Sequence, residues 1–158
     1  MKTLEEKLGQ MTQSVGADIV AIGTTMVKEP VEGLIRAARI GSMIQVGKPE
    51  EMASRIRRFQ KIAVEETRLG IPLLFSQDVI HGFETVFPIP LACSSSFDMQ
   101  LIQKAAQIAA KEATICGINY LYSPMVDIAH DPRWGRVAEG AGEDPYLASV
   151  MASAIVKG

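Results

Sequence analysis

Residues 70–82 read G-I-P-L-L-F-S-Q-D-V-I-H-G. Gly70 closes a helical stretch, Ile71–Phe75 is an apolar run of strand length, and the polar Gln77, Asp78, His81 and Gly82 follow at once. A short apolar run between turn residues fits a strand covered on both faces, as in a parallel sheet. In such sheets the ligand-binding groups stand just past the C-terminal strand ends. Asp78 is therefore expected at that rim, where a carboxylate can accept two hydrogen bonds from paired hydroxyls. The other reading of Asp78 is a cap on the following turn.

The same alternation extends to either side. Thr3-Leu4-Glu5-Glu6 is a capping box, followed by a helix with Leu4, Leu8 and Met11 on one face. Asp18–Ile22 reads as a buried strand, Val31–Arg39 as a helix stopped by Gly41, and Ser42–Val46 as a strand. Pro49 suits a first helical turn, and Met52, Ile56, Phe59 and Ala63 continue one stripe to about residue 69. After a polar loop, Asp98 starts a long helix with Ile102, Ala105, Ala106, Ala109 and Ala113 on its apolar face. Gly117 ends it, Ile118–Tyr122 is a further strand, and Asp144-Pro145 caps a last helix.

About four strands alternating with helices imply an α/β fold with a parallel sheet. A dinucleotide-type doubly wound sheet needs G-x-G-x-x-G after its first strand, and Ile22-Gly23-Thr24-Thr25 does not supply it. The expected architecture is a partial (β/α)8 barrel of the TIM type. A half-open parallel sheet exposes an unpaired edge, so residues 1–158 are expected to be an N-terminal fragment of one barrel domain, able to self-associate through open edges.

Composition excludes several other classes. The 158 residues are 47% hydrophobic, 22% charged and 6% aromatic, which is globular, and 16 basic against 18 acidic residues give a net charge of −2. Arg55, Arg57, Arg58 and Lys61 recur at helical spacing and read as a solvated helix face, so no nucleic-acid partner is expected. No apolar run reaches the length of a membrane span, and no signal peptide precedes the first helix. Cys93 and Cys116 have neither CxxC nor metal-ligand spacing and read as buried thiols, with a disulfide left open. His81 and His130 are too far apart to form a motif, so no metal or cofactor is expected, and His81 reads as a hydrogen-bonded core histidine.

The densest polar stretch is Asp127–Tyr146, D-I-A-H-D-P-R-W-G-R-V-A-E-G-A-G-E-D-P-Y, which holds the only tryptophan. A loop this long inside a domain is functional or disordered, and Pro132, Trp134 and Tyr146 argue for order. Of Arg133 and Arg136, one is expected to project as a planar donor fork and the other to pair with an acid such as Glu143 or Asp131. Alternatively both simply staple the loop. Trp134 offers a stacking face for a sugar or a packing anchor. Gly140-Ala141-Gly142 is crowded by Glu139, Glu143 and Asp144, which disfavours phosphate.

Taken together, T-L-E-E-K-L-G-Q-M-T-Q, G-I-P-L-L-F-S-Q-D-V-I-H-G, V-F-P-I-P-L-A-C-S-S-S-F-D, Y-S-P-M-V-D-I-A-H-D-P-R-W-G-R and G-E-D-P-Y-L resemble the start of a family 3 glycoside hydrolase. The resemblance covers essentially the whole chain and is most like the bacterial periplasmic β-glucosidase branch. It implies a retaining enzyme that removes terminal β-linked glucose from oligosaccharides or glycosides, with β-xylosidase and N-acetylhexosaminidase specificities as alternatives. It implies a periplasmic or secreted parent, the cytoplasm being left open by the missing leader. Asp78 matches the acid that holds sugar hydroxyls in the −1 subsite, Arg136 matches the arginine on the same sugar, and Arg133 matches a structural position. His130 departs from the arginine common in the family. None of the aspartates at 18, 78, 98, 127, 131 and 144 has the context of the family's nucleophile, so nucleophile and acid/base are expected beyond residue 158, and the chain alone is expected to be inactive. A small carbohydrate-binding module is a third reading, disfavoured because part of a pocket encloses little of a ligand.

Overall fold

The computed structural model describes residues 1–16, 20–22, 25–27 and 30–158. They fall into two compact units, Met1–Gln77 with Ile115–Tyr120, and Asp78–Thr114 with Leu121–Gly158.

In the first unit, helix α1 (Leu4–Gln10) starts at the expected capping box: Thr3 Oγ1 accepts from the Glu6 amide and the Glu6 side chain accepts from the Thr3 amide. Glu6 also receives Arg68 at 2.5 Å, and this bond, ahead of the Thr3 amide, holds its carboxyl below the usual carboxylate range. The expected apolar face does not pack. Leu4, Leu8 and Met11 are exposed, and the buried residue is Gly9, where a Cβ would stand 1.9 Å from the Ala38 carbonyl oxygen. Backbone approach, rather than a leucine stripe, seats this helix.

A four-stranded sheet follows the order β1 (Gln13–Val15), β4 (Ser42–Ile44), β5 (Leu74–Gln77), β6 (Tyr120–Leu121). Gln13 lies opposite Ser42, and Ser42 opposite Leu74, both pairings parallel. Helices α2 (Val31–Arg36), α3 (Pro49–Glu65) and α5 (Met99–Ile115) provide the crossovers. Each strand is added beyond the last without reversal. That singly wound order belongs to a barrel, whereas a doubly wound sheet turns back on itself. The partial β/α barrel expected from sequence is the architecture found.

Its first strand differs from the expectation. Residues 18–19 of the expected strand lie outside the described residues, while Val20–Ile22 (β2) pairs antiparallel with Thr25–Val27 (β3) in a separate two-stranded sheet. The parallel sheet starts instead at Gln13–Val15, whose buried member is Ser14, so no apolar run announced it. Helix α2 is shorter than expected, ending at Arg36 with Ala38 in the left-handed region (φ 53°).

Helix α3 buries Met52, Ile56, Phe59, Ile62 and Ala63. Its basic residues form a bracing face: Arg58 pairs with Glu32 at 2.6 Å, and Arg55 lies over the Phe59 ring and donates to the Gly16 carbonyl at 2.9 Å. Gln60 then sets where β5 begins. Its amide brackets Leu73, accepting from the Leu73 N–H at 2.8 Å and donating to the Leu73 carbonyl at 3.3 Å. Pro72 has no N–H to offer a ladder. The strand therefore runs Leu74–Gln77 instead of Ile71–Phe75, and Asp78 is the first residue past its end.

The second unit holds α4 (Pro90–Ser94), most of α5, and α6 (Pro145–Lys157). The α4 segment read as loop, but Pro90 at its first turn pre-sets φ and the helix forms. Asp98 accepts from the Leu101 amide at 2.9 Å to start α5, and Asp144 accepts from the Leu147 amide at 2.7 Å to start α6. Ile102, Ala141, Ala148, Met151 and Ala154 form the core of this unit.

Replacing Gln60 with alanine leaves the amide and carbonyl of buried Leu73 unpaired, a cost of about 1–3 kcal/mol. Chemical denaturation of the protein should show that loss, and an unchanged midpoint would show that β5 is not anchored by Gln60.

Candidate functional site

The second unit carries both expected site residues. Asp78 leaves the end of β5, is exposed, and accepts no hydrogen bond from a described residue. Together with His81, Gly82, Ala138 and Glu139 it lines an open cleft of about 230 Å³. That is smaller than the roughly 300–1,000 Å³ of a complete small-molecule site.

Arg136 comes from the long loop, which is ordered by two successive 3-10 turns, Pro132–Trp134 and Val137–Glu139. Asp131 caps the first turn, accepting from the Arg133 amide at 2.9 Å, and Gly135 turns out of it with φ 87°. The Arg133 guanidinium clasps the Asp131 carboxylate through Nε and Nη2. That is the loop-bracing pairing expected of one arginine.

The other arginine is paired within the loop as well, as in the alternative that both staple it. Arg136 donates to Glu139 from Nε at 2.9 Å and from Nη2 at 2.6 Å. Its pKa is raised first by that bond and by the charge of Glu139, and further by the nearby charges of Asp127 and Asp78. Asp78 and Arg136 are thus within electrostatic reach of each other, with Glu139 holding the guanidinium. Glu139 was not singled out as a partner, although its place three residues after Arg136 in a helical turn was a legible signal.

Other expectations divide. His81 is hydrogen-bonded, with Nδ1 3.0 Å from the Phe87 carbonyl, but it is exposed on the cleft and not in the core. Trp134 is 40% exposed. Ala141 is buried in the core and the Gly142 carbonyl accepts from the Ala129 amide. Cys93 and Cys116 are half-buried thiols, and partial burial pushes the Cys93 thiol up. Among the described residues no three acids, histidines or cysteines gather in a way that could hold a metal ion, and no helix is long and apolar enough to cross a membrane.

The structure is a segment of β/α barrel whose second unit carries an acid and an arginine within electrostatic reach of each other. The profile described as "Glycosyl hydrolase family 3 N terminal domain" matches residues 3–158, and the chain belongs to that family. It is 37% identical over 155 residues to a periplasmic β-glucosidase of Salmonella typhimurium, covering 98% of this chain and 19% of that protein. It is 30% identical over 174 residues to a periplasmic β-glucosidase/β-xylosidase of Dickeya chrysanthemi, covering 99% of this chain and 26% of that protein. Among solved structures, the β-glucosidase of Listeria innocua in complex with isofagomine superposes with a TM-score of 0.83 at 39% identity, covering 100% of this chain and 21% of that one. The chain thus spans between about a fifth and a quarter of the length of these relatives.

The loop's acid pairs define a pH response. Arg133 holds Asp131, and Arg136 holds Glu139, below their ordinary values of 3.8 and 4.5. A depressed folded-state pKa gives stabilisation that is complete above the ordinary value and is lost as pH falls through the depressed one. Fluorescence of Trp134, the only tryptophan, should stay constant from neutrality down through pH 4.5 and change only below it. A transition centred above 4.5 would show that these pairs do not hold the loop.

Proposed function

We propose that this chain forms part of the sugar-binding wall of a retaining β-glucosidase, with Asp78 accepting from substrate hydroxyls and Arg136 donating to the same sugar. The observation that carries this reading is the position of Asp78 on the open cleft. Glu6, Asp98, Glu112, Asp131, Glu139 and Asp144 each accept hydrogen bonds from protein donors. Asp78, like the exposed Glu84, Asp127 and Glu143, accepts none from a described residue, and of these four it alone lines the cleft. A carboxylate offers about four lone-pair sites, enough for two vicinal hydroxyls at once. Glu139 fixes the Arg136 fork in place, so little side-chain freedom is lost when its remaining donors meet a ligand.

In this reading residues 1–158 are the N-terminal part of one barrel domain. The nucleophile and acid/base of the double displacement lie outside it, so the chain supplies binding and not bond cleavage. Substrates are terminal β-glucosides of oligosaccharides or glycosides, and the working compartment is the periplasm or the exterior, as the names of two relatives suggest. The Dickeya relative's name also covers xylosidase activity, which gives the second reading, a β-xyloside substrate. On its own the chain self-associates through its sheet, whose outermost strands are β1 and β6. Light scattering showing a stable monomer would rule that association out.

Turnover of aryl β-glucosides and β-xylosides by the full-length enzyme containing this chain decides between the two sugars, and no turnover of any common glycoside overturns both readings. In that enzyme Asp78→Ala should lower kcat/KM about 100-fold or more, since hydrogen bonds to a charged group contribute about 1.5–3 kcal/mol each. An unchanged kcat/KM removes Asp78 from the site.

A further inference from the structure

Beyond Asp78 the chain folds into a miniature hairpin. The Phe87 amide donates to the His81 carbonyl at 2.8 Å, and Gly82 and Val86 form an antiparallel bridge. A carbonyl only accepts, so the contact between His81 Nδ1 and the Phe87 carbonyl places the imidazole proton on Nδ1 and leaves Nε2 an acceptor in the neutral ring. Gly82 makes the closure at φ 114°, where a Cβ would stand 2.0 Å from the Thr85 carbonyl oxygen. Only glycine fits there.

A two-stranded hairpin this short is marginal by itself. Its tip is held from outside. Glu112, on the last turns of α5, receives the Glu84 amide at 3.0 Å and the Thr85 amide at 2.9 Å on one carboxylate oxygen. The Thr85 hydroxyl donates to the other oxygen at 2.6 Å. Hydrogen bonds to an ionised acceptor are the strong ones, and the Thr85 hydroxyl, then its amide, hold Glu112 below the usual carboxylate range. One charged side chain thus satisfies three donors at the exposed end of the segment whose base lines the cleft with Asp78, His81 and Gly82.

We propose that Glu112 is a positioning residue, which fixes the Asp78–Phe87 segment through its grip on Glu84 and Thr85 and so sets the placement of Asp78 and His81 on the cleft wall. The proposal rests on the reading of Asp78 as a sugar-binding acid. It makes Glu112, on a different element from the cleft wall, a determinant of how rigidly the ligand groups are presented. Preorganised ligand groups lose less freedom when substrate or transition state is bound.

The test uses the full-length enzyme containing this chain, with amide hydrogen exchange read at residues 84 and 85 beside steady-state kinetics. In Glu112→Ala both amides should exchange about tenfold faster or more, and kcat/KM should fall by about tenfold. Glu112→Gln, which keeps a carbonyl acceptor, should recover part of both. The double variant Asp78→Ala with Glu112→Ala should lose less than the product of the two single losses, because Glu112 acts through the segment that bears Asp78. Wild-type exchange at residues 84 and 85, kcat/KM within about twofold of wild type, or losses that multiply would each overturn the proposal. If Glu112→Ala does not fold, Thr85→Val and Glu112→Gln carry the test: each should raise exchange at the tip, and unchanged exchange in both overturns it. If no glycoside is turned over, the reading of Asp78 falls, while the exchange measurement still decides whether Glu112 holds the hairpin.

Discussion

The site depends on where strand β5 stops. A parallel ladder places its ligand groups by backbone register, and a slip of one residue turns every side chain to the opposite face. Here the register is fixed at both ends of the central residue. Gln60 brackets Leu73 before the strand begins, and Phe75, fully buried, both donates to the Asn119 side chain at 2.8 Å and accepts from its amide at 3.0 Å. Ser42, Met43 and Ile44 lie opposite Leu74, Phe75 and Ser76, and the strand ends at Gln77. Asp78 is then the first side chain free of the sheet.

The fold was legible in the sequence where the local signal and the tertiary role coincide. The capping box at Thr3, the Asp144-Pro145 start and the stripe of Met52, Ile56, Phe59 and Ala63 each state their structure directly. It was illegible where packing chose against pattern. Gln13–Val15 enters the sheet with a buried serine, Leu4 and Leu8 stay exposed beside a buried glycine, and Pro90–Ser94 forms a helix from residues that read as loop. In each case the deciding partner is distant in sequence or is backbone, and hydrophobic periodicity records neither.

For the site the division is similar. The positions of Asp78 and Arg136 followed from motif and strand-end logic, and both lie in one unit within electrostatic reach. The network around them did not follow. Glu139 on Arg136 is a local pair that spacing could have revealed, whereas Glu112 on Glu84 and Thr85 joins segments about 27 residues apart and left no mark in the sequence.

The acids explain why so polar a segment can be so well ordered. The loops around the cleft are rich in exposed carboxylates, and an ungrouped set of them would repel one another and keep the backbone mobile. Instead Asp131 and Glu139 are each matched to an arginine two or three residues away, and Glu112 to three donors at a hairpin tip. The two arginine pairs each close a single 3-10 turn, and the Glu112 contacts join the hairpin tip to α5. Glu84, Asp127, Glu143 and Asp78 accept from no described donor, and of these only Asp78 stands on the cleft. Arg136 lies within electrostatic reach of Asp78 without a direct bond between them. On the proposed sugar-binding reading, this arrangement suits a neutral, hydroxyl-rich ligand better than an anionic one, because the arginine's charge is already answered by Glu139 and the carboxylate seeks donors.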